Sequence, residues 1–484
     1  MRSPSIPTHR ASRGPPSPFR GGKGEAGSAG APTEGDVNLS PARQAWLATL
    51  DAPTRAILDE DAQYFFHQSL STPCLDTIVG AEGATLTDLA GRRILDFHGN
   101  SVHQVGYAHP RVIAAVKAQL DALSFSPRRY TNRPAVDLAR RLAELAPGGP
   151  NKVLFAPSGA AAIGMALKLA RLATGRHRTV SMWDSFHGAN LDVLSVGGEA
   201  LFRKDIGPLL PGTEHVPPLD QAERFFGSDG RAFERLADYV DYILGVDGAI
   251  AAVVAEPMRW TTVVPPPAGF WPSIRARCDR HGALLVFDEI PSCLGRTGRM
   301  LASEHFGAVP DILVVGKGLG GGIMPMAAMI ARADLDIAGE TALGHYTHEK
   351  SPVGAAAALA TLDVIAEERL VERARKLGRH GLDRLRAMAA KHPAITDVRG
   401  LGLYFGIEIG DANAGPSHAR AEAILYACLE RGLSFKIGGG NVLTLCPPLT
   451  IAVEELDRAF AILDDAMTAV RAAGAMRGGG SRSR

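Results

Sequence analysis

Lys317 sits between Gly316 and Gly318, directly after the apolar run DILVVG (311–316), in a stretch with almost no other charge. Desolvation disfavours an ammonium in such a glycine-lined turn, so the lysine is a candidate free amine able to form a Schiff base. Asp288 closes a second apolar run, ALLVFDE (283–289), where an ionised carboxylate is costly unless a cation meets it. Ser158 and Gly159 follow a third run, KVLFA (152–156), and open the helical pattern GAAAIGMALKLARL. The unpaired N–H groups and dipole of that helix start suit a phosphate. Phosphate site, acidic strand end and isolated lysine together describe a pyridoxal phosphate pocket, with Asp288 against the pyridinium nitrogen. A nucleotide P-loop is excluded, because GKG lacks both the earlier glycine and the following Ser or Thr.

A second group lies upstream. DFHGNSVHQVGYAHP (96–110) crowds His98, Asn100, His103 and Gln104 into a segment that otherwise reads as an extended chain entering a core. A lone histidine there would ordinarily be a satisfied core residue. Beside Asn100 and Gln104, the pair suggests a general acid and substrate-orienting groups, with the two histidines five apart and therefore on opposite sides of an extended segment. SPRRYTNRP brings Arg128, Arg129 and Arg133 together. Arginine forks suit phosphonate, phosphate or carboxylate, although a solvated basic turn has the same composition.

These residues need a scaffold of adequate size. The chain has 484 residues, 46% of them hydrophobic, enough for a large core and too many for one small domain. Its net charge is +1, from 52 basic and 51 acidic residues, so no global field draws it to nucleic acid or an anionic membrane. The expected partner is a small molecule. Five cysteines are scattered without a C-x-x-C pair, which argues against a metal site or a disulfide framework and points to the reducing cytoplasm. No apolar run approaches the ~20 residues that span a bilayer. The segment 1–42 is rich in Pro, Gly, Ser and Arg, without the apolar stretch of a secretory signal, and reads as a disordered tail. Residues 475–484 read as another.

Between the tails, short apolar runs alternate with helical patterns, the signature of a mostly parallel sheet wrapped by helices. AAVVAE (251–256) joins the three runs above, and each is continuously apolar, as strands buried on both faces are. Ligands of such sheets bind at the carboxyl ends of the strands. The expected division is an N-terminal segment (43–95) joining the small domain, a large domain (96–352) and a small α+β domain (353–474), the last beginning with two long helical patterns.

From about residue 65 to 470 the sequence resembles the class III (ω-amino acid) aminotransferases, fold-type I pyridoxal phosphate enzymes. The resemblance rests on LLVFDEIPSCLGRTGRM, ILVVGKGLGGGIMPMAAMI, SFHGAN, VVAEP, VRGLGLYFGIEI and CPPLTI. It implies a seven-stranded, mostly parallel sheet with a smaller α+β domain, Lys317 as the Schiff-base lysine and Asp288 as partner of the ring nitrogen. It further implies Phe186 and Ile290 on opposite faces of the ring, His187 beside it, and Glu256 bordering the substrate side. Thr347 would reach the cofactor phosphate of the other subunit in a homodimer with shared sites. The phosphate turn usually reads S-G-S/T-E in this family. Here it is Ser158-Gly159-Ala160-Ala161, which shifts phosphate binding to backbone N–H groups and Thr347. DFHGNSVHQVGY and YTHEKSP resemble a lyase branch acting on (R)-1-hydroxy-2-aminoethylphosphonate, in which an acid such as His98 or His103 would expel a hydroxyl. Two other readings stand beside it: an ω-aminotransferase in which Arg399 of VRG binds a carboxylate, and a catalytically silent cofactor-binding protein.

Overall fold

The computed structural model describes residues 40–411 and 415–479. The expected tails lie outside the described residues except at their inner ends, where ordered helix begins earlier and stops later than expected. Ser40 caps a helix over Pro41–Thr49, its Oγ accepting from the Arg43 N–H with proline at the first helical position. The final helix spans Val453–Gly479.

Three short strands come first: β1 (Ile78–Glu82), β2 (Thr85–Asp88) and β3 (Arg93–Asp96). The large sheet follows, from β4 (Asn151–Ala156), β5 (Arg178–Met182), β6 (Thr213–Val216), β7 (Ile250–Ala255), β8 (Leu284–Asp288), β9 (Ile312–Val315) and β10 (Ala327–Arg332). Their spatial order is β4-β10-β9-β8-β7-β5-β6. Every pairing is parallel except those of β10, which runs antiparallel to β4 and β9. β7, β8 and β9 are buried along their whole length. Alternate residues feed two separate cores: Leu285, Phe287, Leu313 and Val315 on one face, Leu284, Val286, Ile312 and Val314 on the other. That is the physical reason these strands read as unbroken apolar runs.

The second core is filled by the helix Gly159–Thr174, which packs on β4, β7, β9 and β10. Its alanine- and glycine-rich face lets the helix lie close to the sheet, and residues 161–167 are buried without exception. The C-terminal part begins with helices over Pro352–Glu367 and Leu370–Ala389, as expected from the sequence. It continues with β11 (Ile395–Gly400), β12 (Phe405–Asp411), β13 (Gly415–Pro416), β14 (Leu433–Ser434), β15 (Lys436–Gly438) and β16 (Val442–Leu445). A sheet of order β11-β12-β16-β15 forms there, while β14 leaves it to pair in parallel with β3. That pairing matches Asp96 to Ser434 and draws the C-terminal part against the segment that carries His98. Among the described residues, no helix is long and apolar enough to cross a membrane.

Candidate active site

The carboxyl ends of β4, β7, β8 and β9 open on one cavity of about 620 Å³. Ser158, Gly159 and Ala160 line it where the helix after β4 begins, Glu256 follows β7, Asp288 ends β8 and Lys317 follows β9. Phe186, His187 and Ile290 also line it. Four chain segments far apart in sequence therefore meet at one sheet edge, because parallel strands all present the same end.

Lys317 occupies a short helical turn with φ +47°, in the left-handed region that a residue with a side chain rarely adopts. Its neighbour Gly318 lies against the buried Gln104 amide so closely that a Cβ there would fall 1.8 Å from Oε1. Burial holds the Lys317 amine below its usual pKa, while Asp288 and Glu256 pull it the other way. The Lys317 Nζ lies 5.6 Å from the Trp260 ring centroid. Asp288 is 2% exposed, and both its oxygens are engaged: Oδ2 with His187 Nδ1 at 2.8 Å, Oδ1 accepting from the Ile290 N–H at 3.1 Å. Ser158 Oγ accepts from the Ala161 N–H, fixing the helix start. A Cβ at Gly159 would meet Ile290 Cδ1 at 2.6 Å, so only glycine leaves the turn its room.

His98 is presented by a built turn. The carboxylate of Asp96, the last residue of β3, accepts from the N–H groups of His98 (2.9 Å) and Gly99 (3.0 Å) and from the Tyr107 hydroxyl (2.6 Å). The chain then folds through Gly99, Asn100 and Ser101, all at positive φ. This puts both His98 and Asn100 on the cavity wall. Burial lowers the His98 pKa to about 4 against the pull of Asp96, with the positive charges of Lys436, His103 and Lys317 adding to the fall.

The remaining sequence candidates lie elsewhere. His103 is fully buried, its Nε2 bonded to the Asp96 carbonyl at 3.2 Å, and its ring packs beneath Gly99. Burial and Arg296 push its pKa down to about 3. It is a core histidine that braces the turn rather than a second acid. Gln104 is likewise buried off the cavity, behind Gly318. Arg128 and Arg129 are exposed, Arg128 3.6 Å from Glu349, and Arg133 pairs on the surface with Asp137, so the basic turn is a solvated one in this chain. Arg399 is committed to Asp397 (2.6 Å), Glu408 (2.7 Å) and the Thr262 carbonyl (2.8 Å), which removes its fork from any ligand. Thr347 is exposed and does not line this chain's cavity.

Residues not singled out in the sequence complete the wall. Arg259 is clamped between Glu256 (2.5 Å) and Glu199 (3.0 Å), and Glu256 also accepts from the Trp260 N–H. Trp260 stacks on Tyr404 with ring centroids 4.4 Å apart. Arg259 and Trp260 directly follow the strand-end motif VVAEP, so the strand-end rule applied a few residues further would have found them. Lys436, on β15, has no comparable signal in the sequence.

The residues fit pyridoxal phosphate: a helix N-terminus cleared of side chains for the phosphate, a buried carboxylate held by histidine for the ring nitrogen, and a desolvated lysine for the aldehyde. Comparison with known proteins agrees. The class-III aminotransferase family model matches residues 67–467. The (R)-1-hydroxy-2-aminoethylphosphonate ammonia-lyase of Vibrio splendidus is 45% identical over 456 residues, 90% of this chain and 95% of that protein. The acetylornithine aminotransferase of Methanopyrus kandleri is 37% identical over 81% of this chain and 94% of its own. Among solved structures, an amine transaminase from an uncultivated Pseudomonas species in its PLP-bound form superposes with a TM-score of 0.78 at 30% identity, covering 84% of this chain and 99% of that one. Family match, relatives and fold coincide over the same span, and the chain belongs to the class III aminotransferase family of fold-type I pyridoxal phosphate enzymes.

Proposed function

We propose that this enzyme is a lyase that converts (R)-1-hydroxy-2-aminoethylphosphonate to phosphonoacetaldehyde and ammonia, as a step of phosphonate breakdown. The observation that carries the reading is His98 on the wall of the cavity that holds Lys317, with Asn100 beside it. Pyridoxal phosphate, when bound, supplies the electron sink for the carbon next to the amine nitrogen. The Lys317 amine takes the proton from that carbon, and its lowered pKa suits a base. Asp288, fixed by His187 and the Ile290 N–H, holds positive charge at the ring nitrogen. Hydroxide is a poor leaving group, so His98 delivers a proton to the hydroxyl of the neighbouring carbon, which departs as water. The enamine released tautomerises and is hydrolysed, returning that water and yielding aldehyde and ammonia. No amino acceptor is consumed.

Arg399 separates this reading from the aminotransferase one. A transaminase that holds a carboxylate on that arginine needs a guanidinium it can offer, and here three protein oxygens occupy it. The protein is further read as a homodimer with shared sites: Thr347 faces outward, and Tyr64, Phe65, Phe66 and Tyr130 expose large apolar rings, Phe66 at 93%. Five free cysteines, four of them buried, suit a reducing cytoplasm.

The test is to supply the hydroxylated aminophosphonate alone. Ammonia and phosphonoacetaldehyde should accumulate in equal amounts over many turnovers. A strict need for a keto acid, with no ammonia released, would overturn the lyase reading.

A further inference from the structure

The proposed substrate carries a phosphonate close to its amine. Three bonds separate nitrogen from phosphorus, so at roughly 1.5 Å per bond the two lie within about 5 Å of each other. An amine at Lys317 therefore requires its phosphonate to lie in the same cavity. Arg128, Arg129 and Arg399 do not line that cavity. Among the described residues, the lysines and arginines that do are Lys317, Arg259 and Lys436. Lys317 is taken by the chemistry, and the charge of Arg259 is outweighed by the two glutamates clamped to it.

The geometry points to Lys436 as the residue that recognises the substrate phosphonate, with Asn100 as its neighbouring donor on the wall. The placement follows from strand register. β3 and β14 pair Asp96 with Ser434, and the Phe97 N–H donates to the Ser434 carbonyl at 2.8 Å. Two residues further along each strand stand His98 and Lys436, side by side at the cavity edge, and the Lys436 charge is felt at both His98 and Lys317. A phosphonate at Lys436 thus leaves the hydroxyl-bearing carbon, which lies between phosphorus and the amine carbon, beside His98. An ammonium is an effective point-charge partner for such an anion.

This inference rests on the lyase reading for its ligand, and binding separates the two. 1-Hydroxyethylphosphonate keeps the hydroxyl and phosphonate but lacks the amine, so it binds without reacting. Its affinity for the holoenzyme is to be measured by calorimetry on the parent and on Lys436→Met and Lys436→Arg. Lys436→Met should weaken it about 10- to 100-fold, raise KM for the hydroxylated aminophosphonate similarly, and leave the cofactor absorbance intact. Lys436→Arg should restore most of the affinity and shows that the position, not the fold, is being read. Equal binding by parent and Lys436→Met, or no binding by the parent at millimolar analogue, overturns the assignment even if ammonia is released. Loss of cofactor from Lys436→Met instead assigns the lysine to the cofactor phosphate and likewise overturns it. Failure of the parent to release ammonia would sink the reaction, while the binding comparison would still judge Lys436.

Discussion

His98 and His103 come from one short sequence motif, yet the structure gives them different work. Neither is a strong acid donor in the ligand-free cavity, since burial lowers both. For His98 the balance changes when a doubly charged phosphonate arrives: an anion beside the imidazole favours the imidazolium, so binding should draw in a proton. Calorimetry of 1-hydroxyethylphosphonate in buffers of different ionisation heat at neutral pH should show uptake in the parent and none in His98→Asn. That variant should eliminate water about 10²- to 10⁴-fold more slowly, while solvent exchange of the proton next to nitrogen survives; loss of both would assign His98 to the first step instead. For His103 the consequence is stability. Its folded pKa of about 3 lies below the unfolded 6.5, so the unfolded chain binds more protons between those values. The stability it contributes is complete above about pH 6.5 and falls away toward pH 3. Lowering the pH from 7 to 5 should cost about 2 kcal/mol through this residue alone, and His103→Gln should flatten that part of the melting-temperature curve. An unchanged acid dependence would show that the ring is not held neutral.

At the scale of elements, the site is a set of strand ends, and that decides what a sequence reader can find. Asp288, Lys317 and Ser158 are legible because each abuts an apolar run, and the runs of β7, β8 and β9 are legible because both faces are covered. β5 and β6, RTVSM and TEHV, lie at the sheet margin and mix polar with apolar residues, so they carry no such mark. Lys436 reaches the cavity only through the pairing of β14 with β3, a contact between residues more than three hundred positions apart that no local pattern records. His103 and Gln104 mislead for the converse reason: a motif gives proximity along the chain, but the tight turn at Gly99–Ser101 sends alternate side chains to the cavity and to the core. The phosphate turn depends on a further element contact. Gly188, after Phe186 and His187, has φ +133°, and a Cβ there would lie 2.4 Å from Ala160 Cβ and 2.8 Å from its Cα. Gly188→Ala should therefore cost about 1–3 kcal/mol in backbone strain and push the helix start away from the phosphate. The variant should shed cofactor on gel filtration where the parent retains it; equal retention would refute the idea that this close approach shapes the site.

For the whole molecule, the open question is what the outward-facing residues serve. Thr347 lies in an exposed turn off this chain's own cavity, and the backbone-reliant phosphate turn, with Ala160 and Ala161 at its start, leaves room for a hydroxyl supplied from outside. If Thr347 completes the site of a second subunit, lesions in different chains should complement. In a dimer pairing Lys317→Ala with Thr347→Ala, one site carries both lesions and the other neither, because each site takes its lysine from one chain and its threonine from the other. Each variant alone should be inactive or, for Thr347→Ala, weak at limiting cofactor. After subunit exchange of equal amounts, random pairing makes half the dimers mixed with one intact site each, so about a quarter of the parental activity should return. Exchange demonstrated by differently tagged chains, without recovery of activity, would place Thr347 outside the neighbour's site and remove the argument for sharing.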